Sequence, residues 1–465
     1  MNTSDIKGKK ITVMGLGLHG GGVGTIRFLH GLGAKIIVTD LKSKEDLAPS
    51  LEKLKDLKEI EYSLGQHRTE DFENVDMVIK TPPAPWTSKH IKLALDKKIP
   101  VEIDSSLFFK LCKNPIIGVT GTRGKTTTTS LIYEILKKAG KNPIKVGMGQ
   151  ISVLDKLTFL KKDDIVVFEL SSWRLSALGR NNLSPHVAVM TNIYPDHLNY
   201  YATMEEYIKD KKNIFLNQKS GDICIFNWDN EILREMEDEM KFEMIKFSKE
   251  KVENGKSVYI SDGSIYLNNG IDAKKVLDLS EIKVRGKHNE GNIMAAIAAT
   301  NVMGVESDEI RKAVIEFKGI SHRLEFVKEV KGVKYYNDTA ATSPDGAICG
   351  INSFSEPIIL ICGGSDKKLD MTEFAKVISE RVKGVVFLKG QATEKIIFAL
   401  KKILPEDSDR DFIVVDSMTK AIEMTKDIVK EGDVVLLSPG AASFGLFSNE
   451  FDRGNKFKKI VEELK

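Results

Sequence analysis

Apolar residues in this chain fall into short, β-branched runs separated by amphipathic stretches, a spacing that predicts parallel strands alternating with helices. From Lys10 to about Asn114 the runs at 11–14, 34–40, 76–80 and 99–103 describe one α/β domain. Pro115 opens a second, where the run 116–120 reads as a buried strand feeding a Gly- and Thr-rich turn and a helix over 127–139. Its sheet continues through 165–170, 186–191 and 222–227, with a long helix over 289–301 near its end. A third set of runs, at 333–337, 357–362, 384–388, 412–415 and 433–438, again alternates with helical stretches. The expected fold class is α/β with three domains: a Rossmann-like 1–113, a central parallel sheet of the P-loop ATPase type over 114–320, and a Rossmann-like 321–465. No repeat of solenoid length and no low-complexity segment interrupts this order.

Composition narrows the picture. With 465 residues, 42% hydrophobic and 29% charged, each domain can bury a core. A net charge of +3, from 69 basic and 66 acidic residues, is too balanced to indicate a nucleic-acid or membrane-surface protein by itself, so anion binding must come from local sites. Cys112, Cys224, Cys349 and Cys362 lie far apart and read as thiols in a reducing compartment, not as a disulfide frame or zinc site. The polar N-terminus lacks the apolar core of a secretory signal, and no run approaches the roughly 18 apolar residues of a membrane span. A cytoplasmic location is expected.

Candidate chemistry begins at Gly15, Gly17 and Gly20, which follow a strand and precede the acidic Asp40 by about twenty residues, as in a dinucleotide fingerprint. Three readings stay open there: a nicotinamide cofactor and hence an oxidoreductase, a tight turn with no ligand, or a nucleotide-sugar pyrophosphate. The pattern Gly118-x-x-Gly121-x-x-Gly124-Lys125-Thr126 departs from strict Walker A spacing, because Val119 stands where the first glycine belongs. It still supplies what a triphosphate needs: backbone N–H groups at a helix start, Lys125 to neutralise β/γ charge and a Thr126 hydroxyl for magnesium. Glu169 ends an apolar strand and is suited to hold the nucleotide's magnesium, though a solvated strand-end carboxylate fits as well. Asp196 and His197 follow another strand, where a structural histidine is the commoner outcome. Lys211 sits with Lys209 and Lys212 in a basic helix, and the pattern alone favours a solvated face.

Taken in order, these pieces resemble the Mur ligase family. The matching elements are 118–126, Glu169 with Ser171 and Ser172, Thr191 through His197, Gly286 with His288, Asn289 and Asn292, and His322-Arg323 followed by Asn337-Asp338. The resemblance spans nearly the whole chain and implies an ATP-dependent ligase that activates a carboxylate as an acyl phosphate and couples it to an amino acid. Gly15, Gly17 and Asp40, the run from Leu437 through Ser443, and Arg453-Gly454 most resemble the members that add D-glutamate to UDP-N-acetylmuramoyl-L-alanine in peptidoglycan precursor synthesis.

The family pattern implies ATP held by Gly121, Thr122, Arg123, Gly124, Lys125, Thr126, Thr127, Asn292, Arg323 and Asp338, with Asn292 toward adenine. It implies the UDP-sugar on Gly17, Leu18, His19, Asp40, Thr81 and Gln150, and the acceptor on Thr342, Lys367, Ser443, Phe444 and Phe447. Catalytic roles fall to Lys125, Glu169, His197 and Lys211, and two magnesium ions to Thr126, Glu169, His197 and a carbamylated Lys211. A monomer is expected, with no nucleic-acid or membrane partner. Departures are Ala340 where a lysine is usual, Gln150 in the partner loop, and Glu450 where an aromatic is usual.

Overall fold

The computed structural model describes residues 1–149, 152–197, 200–367, 369–405 and 412–465. The chain forms two compact units, one of Met1–Glu281 with Glu290–Val314 and the other of Ile282–Asn289 with Ile315–Lys465. In the first unit, β1 (Lys10–Met14), β2 (Lys35–Asp40), β3 (Ile60–Leu64), β4 (Met77–Lys80) and β5 (Val101–Glu102) form a parallel sheet ordered β3-β2-β1-β4-β5. Chain order reverses between β1 and β4, so the crevice beyond their carboxyl ends is where a ligand enters such a sheet. The hydrophobic pattern did not announce β3, because this edge strand exposes Glu61 and Tyr62.

A second sheet in the same unit has nine strands. They are β6 (Ile116–Thr120), β7 (Asn142–Val146), β8 (Asp164–Glu169), β9 (Val187–Met190), β10 (Ile223–Asn227), β11 (Glu243–Ser248), β12 (Lys256–Ser261), β13 (Ser264–Asn268) and β14 (Ala273–Asp278). Their order is β14-β13-β12-β11-β10-β9-β6-β8-β7, parallel except for the meander β12-β13-β14. Strands β6 and β9 are buried along their whole length, which is why they read as unbroken apolar runs. Strands β7 and β11 to β14 are not among the apolar runs expected for this sheet; β7 carries Pro143 at the sheet edge, and β14 begins on an exposed Ala-Lys-Lys stretch.

The two sheets share a unit because the helix Gly21–Gly31 lies against the loop before residues 154–159. A Cβ on Gly24 would come 2.7 Å from that of Ser152, and Thr25 Oγ1 lies 3.1 Å from Ser152 Oγ.

The other unit has β15 (Glu325–Val330), β16 (Val333–Asn337), β17 (Ile358–Cys362), β18 (Val382–Leu388), β19 (Ile413–Val415) and β20 (Val434–Leu437), ordered β15-β16-β20-β17-β18-β19 with only β15 antiparallel. Apolar clusters cover both faces, with Leu360 and Phe387 on one and Ile361 and Val386 on the other. The segment Ile282–Asn289 is tied to this unit by Arg285, whose guanidinium donates to both carboxylate oxygens of Glu356 at 2.7 and 3.0 Å and to Tyr336 Oη at 2.8 Å. The α/β class with three mainly parallel sheets is the one expected from sequence. No described helix is long and apolar enough to cross a membrane.

Candidate active site

Between β6 and the helix Lys125–Lys138, residues 121–124 turn sharply, with Gly124 at φ 84° as the left-handed N-cap. A Cβ on Gly124 would collide with Asn292 Oδ1, and one on Gly121 with Thr191 Oγ1, so both positions require glycine. The turn after β9 clamps the loop. Thr122 N donates to Asn192 O at 2.9 Å, Arg123 N to Asn192 Oδ1 at 2.8 Å, and Thr191 Oγ1 to Arg123 O at 2.6 Å. Lys125 reaches back across the loop mouth, donating to Gly121 O at 2.8 Å and Thr122 O at 3.1 Å. Thr126 and Thr127 are half-buried on the first helical turn, Arg123 is exposed, and Thr128 Oγ1 donates to Asn292 Oδ1 at 3.3 Å. The arrangement presents N–H groups, a helix N-terminus and an ammonium to one space, which suits polyphosphate.

Three expected residues converge beside that loop. Glu169 closes β8, paired in register with Val119 of β6, and its Oε2 is buried with no hydrogen-bond partner among the described residues. A buried, unpaired carboxylate oxygen at a strand end is suited to a cation. Lys211, read from the pattern as surface, is only 1% exposed. Its Nζ lies 3.4 Å from Thr120 Oγ1 and 4.8 Å from the Tyr207 ring centre. Burial, then Lys125, drives its pKa well below the ordinary lysine value, against the pull of Asp196. His197 takes a left-handed φ of 56°, and its ring stands 5.1 Å from that of Trp173. Burial lowers its pKa, opposed by Asp196 and reinforced by Lys125, Lys211 and Arg123, so the imidazole is neutral near pH 7. Among the described residues no three His, Cys, Asp or Glu side chains cluster as a ready-made metal cage.

The glycine-rich turn after β1 forms the second site. A Cβ on Gly15 would come 2.5 Å from Thr81 Cγ2, so the loops after β1 and β4 meet at the switch point. Asp40 is 8% exposed; its oxygens accept Gly17 N–H at 3.0 Å and Lys42 N–H at 2.9 Å, so it shapes the loop as well as facing any ligand. Leu18 and His19 are exposed, Thr81 is half-buried, and Gln150 lies outside the described residues.

Sequence reasoning missed Lys80. It is 2% exposed at the end of β4 and donates to the carbonyls of Thr81 (3.3 Å), Pro82 (3.2 Å) and Ala84 (2.8 Å), wrapping that loop around its ammonium. Burial and nearby Arg180 push its pKa down to about 7, against Asp210. A lysine closing an apolar strand was the available signal.

In the other unit, the loop after β20 interlocks with the loop after β17. Ser365 N donates to Ala442 O at 2.9 Å, and a Cβ on Gly364 would strike that carbonyl. Ser443 Oγ is buried without a hydrogen-bond partner among the described residues, Lys367 Nζ donates to Thr342 Oγ1 at 2.9 Å, and Phe444 is 65% exposed. Phe447 is buried in the apolar cluster with Leu388 and Phe457. Arg453, wholly buried, donates to Thr339 Oγ1 (2.9 Å), Thr339 O (3.1 Å) and Ala441 O (3.2 Å), and burial lowers its pKa to about 10. Burial and Arg453 also lower Lys367, against Glu450. Asp338 accepts Ser438 Oγ at 2.8 Å and Leu324 N–H at 3.2 Å, and burial raises its carboxyl to about 7, against Arg323. The cluster is cationic and suits a small acidic ligand.

Fold and loop together define a protein of the phosphate-loop class preceded by a dinucleotide-type sheet. Comparison makes the assignment specific: residues 9–102 match a Mur ligase MurD-like N-terminal domain, 119–300 a Mur ligase middle domain, and 322–440 a Mur ligase glutamate ligase domain. The chain belongs to the Mur ligase family. It is 41% identical over 467 residues to a UDP-N-acetylmuramoylalanine--D-glutamate ligase of Roseiflexus sp. (strain RS-1), covering 99% of each chain. It is 40% identical to the enzyme of that name from Borreliella afzelii (strain PKo), covering 100% of each. A crystal structure of MurF from Acinetobacter baumannii shares the fold with TM-score 0.62 at 14% identity, covering 97% of this chain and 93% of that one.

Proposed function

We propose that this protein is an ATP-dependent ligase that joins D-glutamate to UDP-N-acetylmuramoyl-L-alanine through an acyl phosphate, in cytoplasmic peptidoglycan precursor synthesis, and acts as a monomer. The observation that carries the reading is the convergence of Lys125, the unpaired Glu169 and the buried Lys211 around one phosphate loop. The β1/β4 crevice with Gly17, Leu18, His19, Asp40 and Thr81 takes the UDP end. Residues 121–127 with Asn292 take ATP, and Thr342, Lys367 and Ser443 take the acceptor. The names of the relatives support D-glutamate, and the cationic surroundings of Lys367 and Arg453 favour an acidic amino acid over a neutral one.

In the first step the substrate carboxylate attacks the γ-phosphorus of ATP; a C–O–P linkage forms and ADP leaves. Lys125 and the loop N–H groups stabilise charge growing on the phosphoryl oxygens. In the second step the acceptor's neutral amine attacks the acyl carbon, and the tetrahedral intermediate expels phosphate as the amide forms, the proton lost from nitrogen leaving with the phosphate as hydrogen phosphate.

The residues fit magnesium: Thr126 and the unpaired Glu169 suit one ion, His197 and a modified Lys211 a second. Bound magnesium supplies charge neutralisation at the phosphates and the attacking oxygen. Burial holds the Lys211 pKa well below the ordinary lysine value, which favours the neutral amine that can add to carbon dioxide; an N–C bond forms, a proton is lost to solvent, and the nitrogen becomes part of a carbamate with an anionic oxygen ligand.

Phosphate release measured with ATP, UDP-N-acetylmuramoyl-L-alanine and a panel of amino acids tests the reading. Release that requires both the UDP-sugar and D-glutamate is expected. Release only with another acceptor moves the chain elsewhere in its family, and release without the UDP-sugar refutes the proposal.

A further inference from the structure

The helix Ser172–Arg180 starts directly beyond β8, and its second residue, Trp173, stands at the carboxyl end of that strand beside Glu169. Its indole lies 5.1 Å from the His197 ring and 5.7 Å, near edge-on, from that of Tyr200. The indole Nε1 is buried and has no hydrogen-bond partner among the described residues. A buried indole N–H ordinarily finds an acceptor, and leaving one unmade destabilises the free protein. Phenylalanine would pack the same aromatic face without that cost. The nitrogen therefore has its use in a complex.

An indole N–H only donates, so its partner is an acceptor oxygen. Two kinds of oxygen reach this space in the proposed reaction, those of the triphosphate and those of the carboxylate to be activated. The triphosphate is served by the backbone donors at the helix start, residues 124–127 after β6, whereas Trp173 sits after β8 against His197. We propose that Trp173 is a substrate-binding residue whose Nε1–H donates to the reacting carboxylate end of the UDP-linked substrate. The inference rests on the ligase reading above.

The test compares wild type with Trp173→Phe. The free variant should melt at the wild-type temperature or higher, because an unpaired buried donor has been removed. Its KM for UDP-N-acetylmuramoyl-L-alanine should rise about 10- to 100-fold, the effect of one hydrogen bond to a charged acceptor, with KM for ATP unchanged. A merely structural role gives the reverse, a lower melting temperature with an unchanged KM for the UDP-sugar.

An indole ¹⁵N spectrum decides if both quantities move. The chain has three tryptophans, Trp86, Trp173 and Trp228, and the resonance absent from the variant should shift downfield in wild type when the UDP-sugar is added. No shift of that resonance, or a shift with a non-hydrolysable ATP analogue alone, overturns the assignment to the carboxylate. A wild-type protein that neither binds nor turns over the UDP-sugar fails the ligase reading instead.

Discussion

Replacing Lys211 with alanine separates a structural lysine from one modified into a metal ligand. Among the described residues its Nζ has Thr120 Oγ1 at 3.4 Å and the Tyr207 ring centre at 4.8 Å, and the cation Lys125 acts against its charge. Removing the side chain beyond Cβ forfeits the burial of three methylenes, about 2.4 kcal/mol at ~0.8 each. It also relieves a poorly satisfied buried amine, about 1–3 kcal/mol. The two nearly offset, so Lys211→Ala should fold and melt within several degrees of wild type. Activity should fall about 10²- to 10³-fold, the scale of losing one pre-organised electrostatic group at a phosphoryl transfer site. The assay is phosphate release in buffer freed of carbon dioxide, with and without added formate, acetate or propionate. Wild type should gain rate on adding bicarbonate, and the variant should regain part of its rate with a short carboxylate placed in the vacated space. Near-wild-type turnover by Lys211→Ala, with no response to any carboxylate, refutes the reasoning.

Lys125→Ala should lose about 10³-fold or more in ATP-dependent turnover while keeping the melting temperature, since its bonds to Gly121 O and Thr122 O are only partly buried; near-normal steady-state rates would refute the phosphate-loop role. Lys80→Met removes the donor to the carbonyls of Pro82 and Ala84, while Thr81 O keeps the Ala84 N–H, so a thermal melt should show a loss of about 2–4 kcal/mol, and KM for the UDP-sugar should rise more than KM for ATP. Asp338 gives a pH dependence of known sign. Its folded carboxyl is raised from 3.8 to about 7 by burial, so its contribution is fully present below pH 3.8 and is lost as pH rises through about 7, on the order of 4 kcal/mol in all. Asp338→Asn should flatten that fall in melts between pH 4 and pH 8, and an unchanged slope would show that other groups set it.

Some of this protein is legible in the chain alone. Fully buried parallel strands such as β6 and β9 must be apolar throughout, and a loop that approaches phosphate must be glycine-rich, so composition at 116–120, 187–190 and 121–126 carries both fold and site. Strands β3, β7 and β14 escaped because an edge or exposed strand buries too little to constrain its residues. Lys211 shows the limit most clearly. Its sequence neighbours Lys209 and Lys212 describe a solvated helix, and only the packing of that helix beside β6 and Lys125 turns one of three similar lysines into a buried amine whose pKa is driven well below the ordinary lysine value. The same holds for Trp173, whose unpaired nitrogen is a property of the surrounding space. Local sequence determines which backbone forms each segment, because those rules act over a few residues. Burial, and with it the charge state and hydrogen-bond satisfaction of each side chain, depends on residues far away in the chain, and only the tertiary structure decides it.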